Sequence, residues 1–273
     1  MRCSRRCKCP PAFPSPPWPS AKRAPPTPAS SPPRLSPAKI PKFLPGSWNS
    51  KRRWPRVSKT ETESSKARSK RADDIAAGIS ALKRGNVIVF PTETLYGLGA
   101  DALNSGAVEQ VFQLKGRDPK NPIPVLVSDQ AMLLTLVHEI PATARKLMNH
   151  FWPGPLTLVL PARRDIPAPL LNATGGIGVR LSSQPIATRL VQALGHPLTA
   201  TSANPSGKEP ARSVSEAQNY FAGKIDVFVE GGTLTSKTGS TVVEVIGDAI
   251  KIIREGEIHR SDLEEILKKD KIV

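Results

Sequence analysis

The sequence is short of several residue types, and each shortage argues against a class of protein. All three cysteines lie among the first nine residues, so the rest of the chain has neither a disulfide nor a cysteine nucleophile. No run of about 18 apolar residues is present, so no membrane-spanning helix is expected. The four histidines are scattered, and the chain has neither a GxxxxGKS/T loop nor a GxGxxG turn after a strand. Neither a zinc hydrolase nor a P-loop or dinucleotide-binding domain is therefore expected.

Acidic residues are absent from the first 60 positions, which contain 14 of the 39 lysines and arginines and 15 of the 29 prolines. The remaining chain has 25 basic and 23 acidic residues, so the net charge of +16 describes mainly the N-terminal segment. Proline fixes φ and lacks an N–H, which opposes helices and central strands. We predict a disordered, basic, proline-rich extension over residues 1–70 and a folded domain over residues 71–273. Cys3, Cys7 and Cys9 lack a fourth ligand, so no metal site is predicted.

The basic, acid-free extension has two interpretations. It resembles a transit peptide for a mitochondrion or plastid, although its prolines oppose the amphipathic helix that such peptides form. Alternatively, it is an extension without function, and the protein is cytoplasmic. We favour the cytoplasmic interpretation.

From Asp73 onward, helical spacing of apolar residues alternates with short apolar runs. This pattern predicts an α/β fold: a single domain with a twisted mixed sheet and helices on its faces. The predicted helices cover 72–85, 105–117, 129–138, 141–151, 184–194, 213–223 and 259–269. The predicted strands cover 86–90, 123–128, 155–162, 176–182, 197–204 and 225–232, followed by a hairpin over 239–256 that turns at Gly247-Asp248.

Several loops combine hydroxyls, glycines and a cationic or amide side chain, at strand ends where α/β proteins bind ligands. Lys115 and Arg117 lie at the C-terminal end of a predicted helix, where they either form a phosphate clamp or stabilise the helix dipole. The loop "TSANPSG" (201–207) either holds phosphate oxygens or is an ordinary Asn-Pro turn. Arg180 lies within an apolar strand, which favours contact with an anion such as a substrate carboxylate. Arg254 ends a later strand and could face the same site.

Six motifs occur in order: "FPTETLYGLGADA", "KGRDPKNPIPVLV", "WPGPLTLVLP", "GVRLSSQPIATRLV", "TATSANPSGKEPA" and "GSTVVEV" with "IIREGEI". Over residues 73–262 the chain resembles the YrdC family of L-threonylcarbamoyladenylate synthases, in its short single-domain form. The resemblance implies a sheet that encloses a basic cavity. It also implies an enzyme that condenses L-threonine, bicarbonate and ATP into threonylcarbamoyl-AMP and pyrophosphate, with Mg²⁺ accompanying ATP. A partner complex would then transfer the threonylcarbamoyl group to adenosine 37 of tRNA.

The resemblance also implies roles for individual residues. The family signature KxR…SxN falls on Lys115, Arg117, Ser202 and Asn204, with Lys115 and Arg117 as the catalytic pair and Lys115 against the phosphates. The implied ATP contacts are Lys115, Arg117, Asn121, Ser202, Asn204 and Arg254. The implied L-threonine contacts are Thr94, Arg180 and Ser240, with Arg180 on the carboxylate. Leu126 stands where some members have a histidine. Three roles stay open for Glu93: a proton acceptor, an outer-shell ligand of Mg²⁺ or a structural carboxylate.

Two other functions compete with this one. The first is a non-catalytic RNA-binding module that uses the basic cavity, with weak added affinity from the extension. The folded part offers few aromatic residues on which bases could stack, which argues against it. The second is a related carbamoyl transfer of the kind found in hydrogenase maturation. Those proteins carry acylphosphatase and zinc-finger segments that this sequence lacks.

Overall fold

The computed structural model describes residues 65–267, with side chains described from Ser69 onward. All of these residues belong to one compact unit. The three cysteines and most of the predicted extension lie outside the described residues, so the domain boundary at residue 70 stays a prediction. The first helix begins at Ser65, seven residues before its predicted start. The added segment "SKARSKR" lacks proline and glycine and is rich in helix-forming lysine, alanine and arginine, which explains the longer helix.

Helices and strands alternate along the described residues, as predicted. The helices are α1 (Ser65–Lys83), α2 (Ser105–Lys115), α3 (Gln130–Leu136), α4 (Ala142–Phe151), α5 (Pro185–Leu194), α6 (Val214–Phe221) and α7 (Arg260–Leu267). The strands are β1 (Ile88–Pro91), β2 (Tyr96–Gly99), β3 (Val125–Leu126), β4 (Leu156–Pro161), β5 (Gly176–Arg180), β6 (Leu198–Thr199), β7 (Thr201–Ser202), β8 (Thr241–Ile246) and β9 (Ala249–Arg254). No helix within residues 65–267 is long and apolar enough to cross a membrane.

The larger sheet has six strands in the order β6-β3-β5-β4-β8-β9. The pairs β3/β5 and β4/β8 are parallel, whereas the pairs β3/β6, β4/β5 and β8/β9 are antiparallel. The predicted mixed sheet and the predicted hairpin at Gly247-Asp248 are both confirmed. This sheet brings the C-terminal ends of β5 and β9, and therefore Arg180 and Arg254, into one framework.

A second, antiparallel sheet has the order β1-β2-β7, so the prediction of a single sheet was wrong. The segment 91–99, predicted as a loop, forms a turn and then β2. Thr92 builds the turn, because its N–H and its Oγ1 both donate to the carbonyl of Leu95, at 3.1 and 2.6 Å. The two glycines of β2 lack the side chains whose alternation would have predicted a strand. Glycine is needed at position 99, because a Cβ there would lie 2.7 Å from the Phe90 ring.

Two other strand predictions need correction. The predicted strand 197–204 divides into β6 and β7, which belong to different sheets, so the chain changes sheet at Ala200. The predicted strand 225–232 forms only a single parallel bridge, between Val89 and Phe228. Beyond the bridge, the Tyr96 hydroxyl donates to the carbonyl of Gly232 and accepts from the N–H of Gly231. A side chain thus replaces the hydrogen bonds that a ladder would have provided.

The core has two clusters. The larger one includes Trp152, Phe151 and Phe221, and the smaller one packs α1 and α5 against β1. Within this frame α2 ends at Lys115 because Gly116 adopts a left-handed conformation (φ 57°) and its N–H caps the helix. The chain therefore turns sharply between Lys115 and Arg117, which directs the "KGR" segment toward β7.

Candidate active site

Lys115 is buried at the end of α2, with only 3% of its surface exposed. Its Nζ donates to the carbonyl oxygens of Ser202 at 2.6 Å and Asn204 at 2.8 Å, and lies 3.5 Å from Asn204 Oδ1. Burial and the charge of Arg117 lower the pKa of Lys115 from 10.5 to about 8. The ammonium group is thus directed at the loop that follows β7.

Asn204 is held by the same loop. Its Nδ2 donates to the carbonyls of Pro205 at 3.0 Å and Lys208 at 2.6 Å. The backbone closes the arrangement, because the N–H of Ser206 donates to the carbonyl of Lys115 at 2.8 Å. The end of α2 and residues 202–208 therefore form one hydrogen-bonded unit.

A cavity of about 420 Å³ lies over this unit. Its lining residues are Lys115, Gly116, Arg117, Asp118, Asn121, Ser202, Asn204, Ser206 and Gly207. The Arg117 guanidinium runs along the cavity, with Nε donating to the carbonyl of Asn121 at 2.7 Å and Nη2 to that of Pro122 at 3.1 Å. The structure thus brings together five residues predicted to bind ATP. Whether they bind it stays a prediction, and so does the enclosed basic cavity.

Arg180 and Glu93 form a second group. Arg180 is 6% exposed, and its Nη2 lies 2.7 Å from Glu93 Oε1, which also accepts from Nε at 3.1 Å. The Ser182 hydroxyl donates to Glu93 Oε2 and accepts from the N–H of Gln184. Thr94 Oγ1, predicted to contact threonine, lies 3.4 Å from Arg180 Nη2 and 3.0 Å from Thr92 Oγ1.

Ser240 and Arg254 form a third group. Arg254 donates to the carbonyl of Ser240 through Nη2 at 2.7 Å and through Nε at 3.2 Å. The Ser240 hydroxyl lies 2.9 Å from Thr157 Oγ1. Gly239 and Gly256 allow Arg254 to approach Ser240, because a Cβ on Gly256 would lie 2.2 Å from the carbonyl oxygen of Gly239.

Electrostatic coupling links the three groups. Burial, followed by the charges of Arg180 and Arg117, lowers the pKa of the Arg254 guanidinium. Burial likewise lowers the pKa of Arg117. Cations from α2, the loop after it, β5 and β9 therefore share one region, with Glu93 paired to Arg180. Such a concentration of positive charge, with Lys115 and Arg180 buried and Arg117 half-buried, is typical of a site for anions.

Leu126 lies beside Arg180, because β3 and β5 pair these residues in parallel register. Its side chain is buried in the smaller core cluster. At the position where the resemblance allows a histidine, this chain therefore has a core residue that can make no side-chain hydrogen bond to a ligand.

Sequence reasoning overlooked Thr157 and the role of Ser182. In the predicted strand 176–182, Ser182 follows Arg180 by two positions, so the two-residue period of a strand would have placed both side chains on one face. Thr157 is a buried polar residue within the apolar strand β4, the same signal that singled out Arg180 in β5. Both could have been found by that criterion.

Comparisons with known proteins identify the family of this chain. The model of the Sua5, YciO and YrdC family, described as "Telomere recombination", matches residues 80–256. A threonylcarbamoyl-AMP synthase of Pyrococcus abyssi is 36% identical over 71% of this chain and 56% of its own length. A putative threonylcarbamoyl-AMP synthase of Mycobacterium tuberculosis (strain H37Rv) is 33% identical over 77% of this chain and 97% of its own.

The fold agrees as well. A crystal structure of P. abyssi Sua5 complexed with L-threonine superposes with a TM-score of 0.70 and 33% identity. The match covers 74% of this chain and 59% of that one, so this chain spans little more than half the length of its Pyrococcus relative. The chain belongs to the Sua5, YciO and YrdC family.

Proposed function

We propose that this protein synthesises L-threonylcarbamoyl-AMP from L-threonine, bicarbonate and ATP, with release of pyrophosphate. One observation supports this function above all: four cationic side chains lie in one region of the protein. They are Lys115, Arg117, Arg180 and Arg254. Cations suit these substrates, because all three are anionic or carry a carboxylate. The names of the relatives favour catalysis over the RNA-binding alternative. We further propose that a partner complex transfers the product's threonylcarbamoyl group to adenosine 37 of tRNA.

ATP is assigned to the cavity over the α2 end. The Ser202 hydroxyl and the Asn121 carboxamide line it, and neither has a hydrogen-bond partner within the described part of the chain. The Arg117 Nη1 is likewise without one. These donors suit phosphate and ribose oxygens.

L-Threonine is assigned to the group around Arg180. Glu93 occupies the Nε side of the guanidinium and fixes its orientation, which leaves Nη1 without a partner among residues 65–267. A substrate carboxylate would bind on that side, with the hydroxyls of Thr94 and Ser240 completing the subsite. The complex of the Pyrococcus relative with L-threonine supports L-threonine as a ligand of this chain.

The chemistry requires no protein nucleophile. The threonine amine forms a bond to the carbon of bicarbonate and loses one N–H proton, the C–OH bond breaks, and the hydroxide leaves with that proton as water. An oxygen of the resulting carbamate then attacks the α-phosphorus, and the bond to the pyrophosphate oxygen breaks. Cationic side chains offset the repulsion between the two anions and hold them in contact, so catalysis depends on positioning and electrostatics.

The site suits Mg²⁺ that arrives with ATP. Asp118 is the carboxylate that lines the cavity, and its Oδ1 already accepts from the N–H of Lys120 at 2.9 Å. Across residues 65–267, no three His, Cys, Asp or Glu side chains are grouped as metal ligands. A metal with few protein ligands and several phosphate ligands fits this donor set. Bound there, Mg²⁺ would offset the charge of the phosphates.

The test uses the full chain with ATP, L-threonine, bicarbonate and Mg²⁺, and measures pyrophosphate release together with the mass of the adenylate. We expect release that requires both threonine and bicarbonate and that is lost in Arg180→Ala. Arg163→Ala is the matched control, because Arg163 is an exposed arginine whose ion-pair partner, Asp165, is exposed too. Release that ignores threonine would refute the assignment. A folded protein that binds RNA without releasing pyrophosphate would support the alternative.

A further inference from the structure

The ammonium group of Lys115 is directed at the loop 202–208. It has three N–H donors; two donate to the carbonyls of Ser202 and Asn204 at 2.6 and 2.8 Å, and the third faces Asn204 Oδ1 at 3.5 Å. The carbonyl of Ser202 also accepts from the N–H of Asn204 at 3.0 Å, so Lys115 reinforces a tight turn. Its place at the C-terminus of α2 stabilises the positive charge without a carboxylate partner.

Asn204 is saturated in the same way. Its Nδ2 donates to two carbonyls, those of Pro205 and Lys208, while its Oδ1 faces Lys115. The backbone of Ser202 is fixed from both sides, by the pairing of β7 with Gly97 of β2 and by Lys115 at its carbonyl. Of the side chains of Lys115, Ser202 and Asn204, the Ser202 hydroxyl is the one without a hydrogen-bond partner among residues 65–267.

We propose that Lys115 and Asn204 are positioning residues that shape the loop 202–208, and that Ser202, Asn121 and Arg117 make the direct contacts to the nucleotide. This inference rests on the proposed ATP site. It divides the KxR…SxN signature into two layers, in which the first and last residues build the loop and the middle two meet the substrate.

Nucleotide binding by full-length variants tests the division. A side chain that contacts the β- or γ-phosphate would, when removed, weaken ATP binding more than ADP binding and ADP binding more than AMP binding. A side chain that shapes the pocket weakens all three by the same factor. For Lys115→Met we expect a uniform loss of about tenfold or more, equivalent to losing hydrogen bonds of a charged donor. A loss that grows with the number of phosphates would overturn the proposal.

Hydrogen exchange without nucleotide gives an independent measurement. Lys115→Met and Asn204→Asp should speed amide exchange within residues 202–208, whereas Ser202→Ala should leave that exchange unchanged and still weaken nucleotide binding. Asn204→Asp keeps the shape of the side chain but cannot donate to Pro205 and Lys208, so it serves if Lys115→Met fails to fold. Unchanged exchange in both variants would refute the positioning role. A wild-type chain that binds no adenine nucleotide would refute the proposed function, while the exchange result would still decide the role of Lys115.

Discussion

Glu93 Oε1 lies 2.7 Å from Arg180 Nη2, and this ion pair joins the turn of the small sheet to the last residue of β5 in the large sheet. Its side chains are 10% and 7% exposed. Removing one partner from a buried pair leaves the other charge without compensation. The pair therefore holds the two sheets together as well as orienting the guanidinium toward its proposed substrate.

Glu93→Gln should lower the free energy of unfolding by about 2–3 kcal/mol, below the full effect of losing a buried partner because glutamine can still accept a hydrogen bond. Denaturant unfolding of the full chain measures the change. The control is Asp165→Asn, whose partner Arg163 lies 3.6 Å away at an exposed site. An exposed pair contributes under about 1 kcal/mol. Equal effects of the two changes would show that the Glu93–Arg180 pair contributes no more than a surface pair.

Gly256→Ala should be strongly destabilising. Its Cβ would lie 2.2 Å from the backbone oxygen of Gly239 and 2.7 Å from the carbonyl carbon of Ser240, so the backbone must shift. We expect a loss of about 3 kcal/mol in thermal or denaturant unfolding, with weaker L-threonine binding because Ser240 and Arg254 separate. Gly106→Ala is the control: this exposed glycine in α2 has room for a Cβ, and alanine should stabilise the helix by about 0.5–1 kcal/mol. Destabilisation by both changes alike would contradict the steric explanation.

Tyr96→Phe isolates the contribution of one buried hydroxyl. The hydroxyl donates to the carbonyl of Gly232 at 2.8 Å and accepts from the N–H of Gly231 at 2.9 Å. Its loss should lower the free energy of unfolding by about 1–3 kcal/mol, because backbone groups lose their partner. Tyr220→Phe should change stability little, since the Tyr220 hydroxyl has no partner among the described residues. A stable Tyr96→Phe would mean that water satisfies the two backbone groups.

ATP binding should take up protons above pH 8. The pKa of Lys115 in the free protein is lowered to about 8, so its ammonium group loses a proton above that pH. Charge on the α-phosphate, which AMP, ADP and ATP share, favours the protonated form, so the pKa rises in each of the three complexes and a proton is drawn from solution. Calorimetry at pH 8.5 in two buffers of different ionisation enthalpy should detect this uptake, and Lys115→Met should abolish it. Proton release, or uptake that persists in the variant, would contradict the assignment.

Local patterns in the sequence predicted much of the fold. The hairpin at Gly247-Asp248 and the buried strands β4 and β5 follow from apolar runs and turn residues within a few positions. The strand β2 escaped detection because Gly97 and Gly99 replace the side chains that would mark its pattern. The need for glycine becomes apparent only in the folded protein, where the Phe90 ring packs against β2.

The candidate site was predicted as a set of residues but not as an arrangement. The resemblance singled out Arg117 and Arg180, and the structure brings both close enough to Arg254 to lower its pKa. The sequence resemblance could not reveal that Nζ of Lys115 donates to backbone carbonyls, or that Ser182 donates to Glu93, which lies 89 positions away in the sequence. Such contacts depend on how separate elements meet in space.

The change of sheet at Ala200 limits how this site can vary. Thr199 pairs with Val125 in the large sheet, and two positions later Thr201 pairs with Leu98 in the small one. One residue inserted or deleted here would exchange the faces of the following strand and turn Ser202 away from the cavity. The loop that follows is constrained as well, because Asn204 Nδ2 donates to the carbonyl of Lys208 and Gly207 has a φ of +80°. The spacing from Thr199 to Lys208 should therefore stay fixed wherever the proposed nucleotide site is kept.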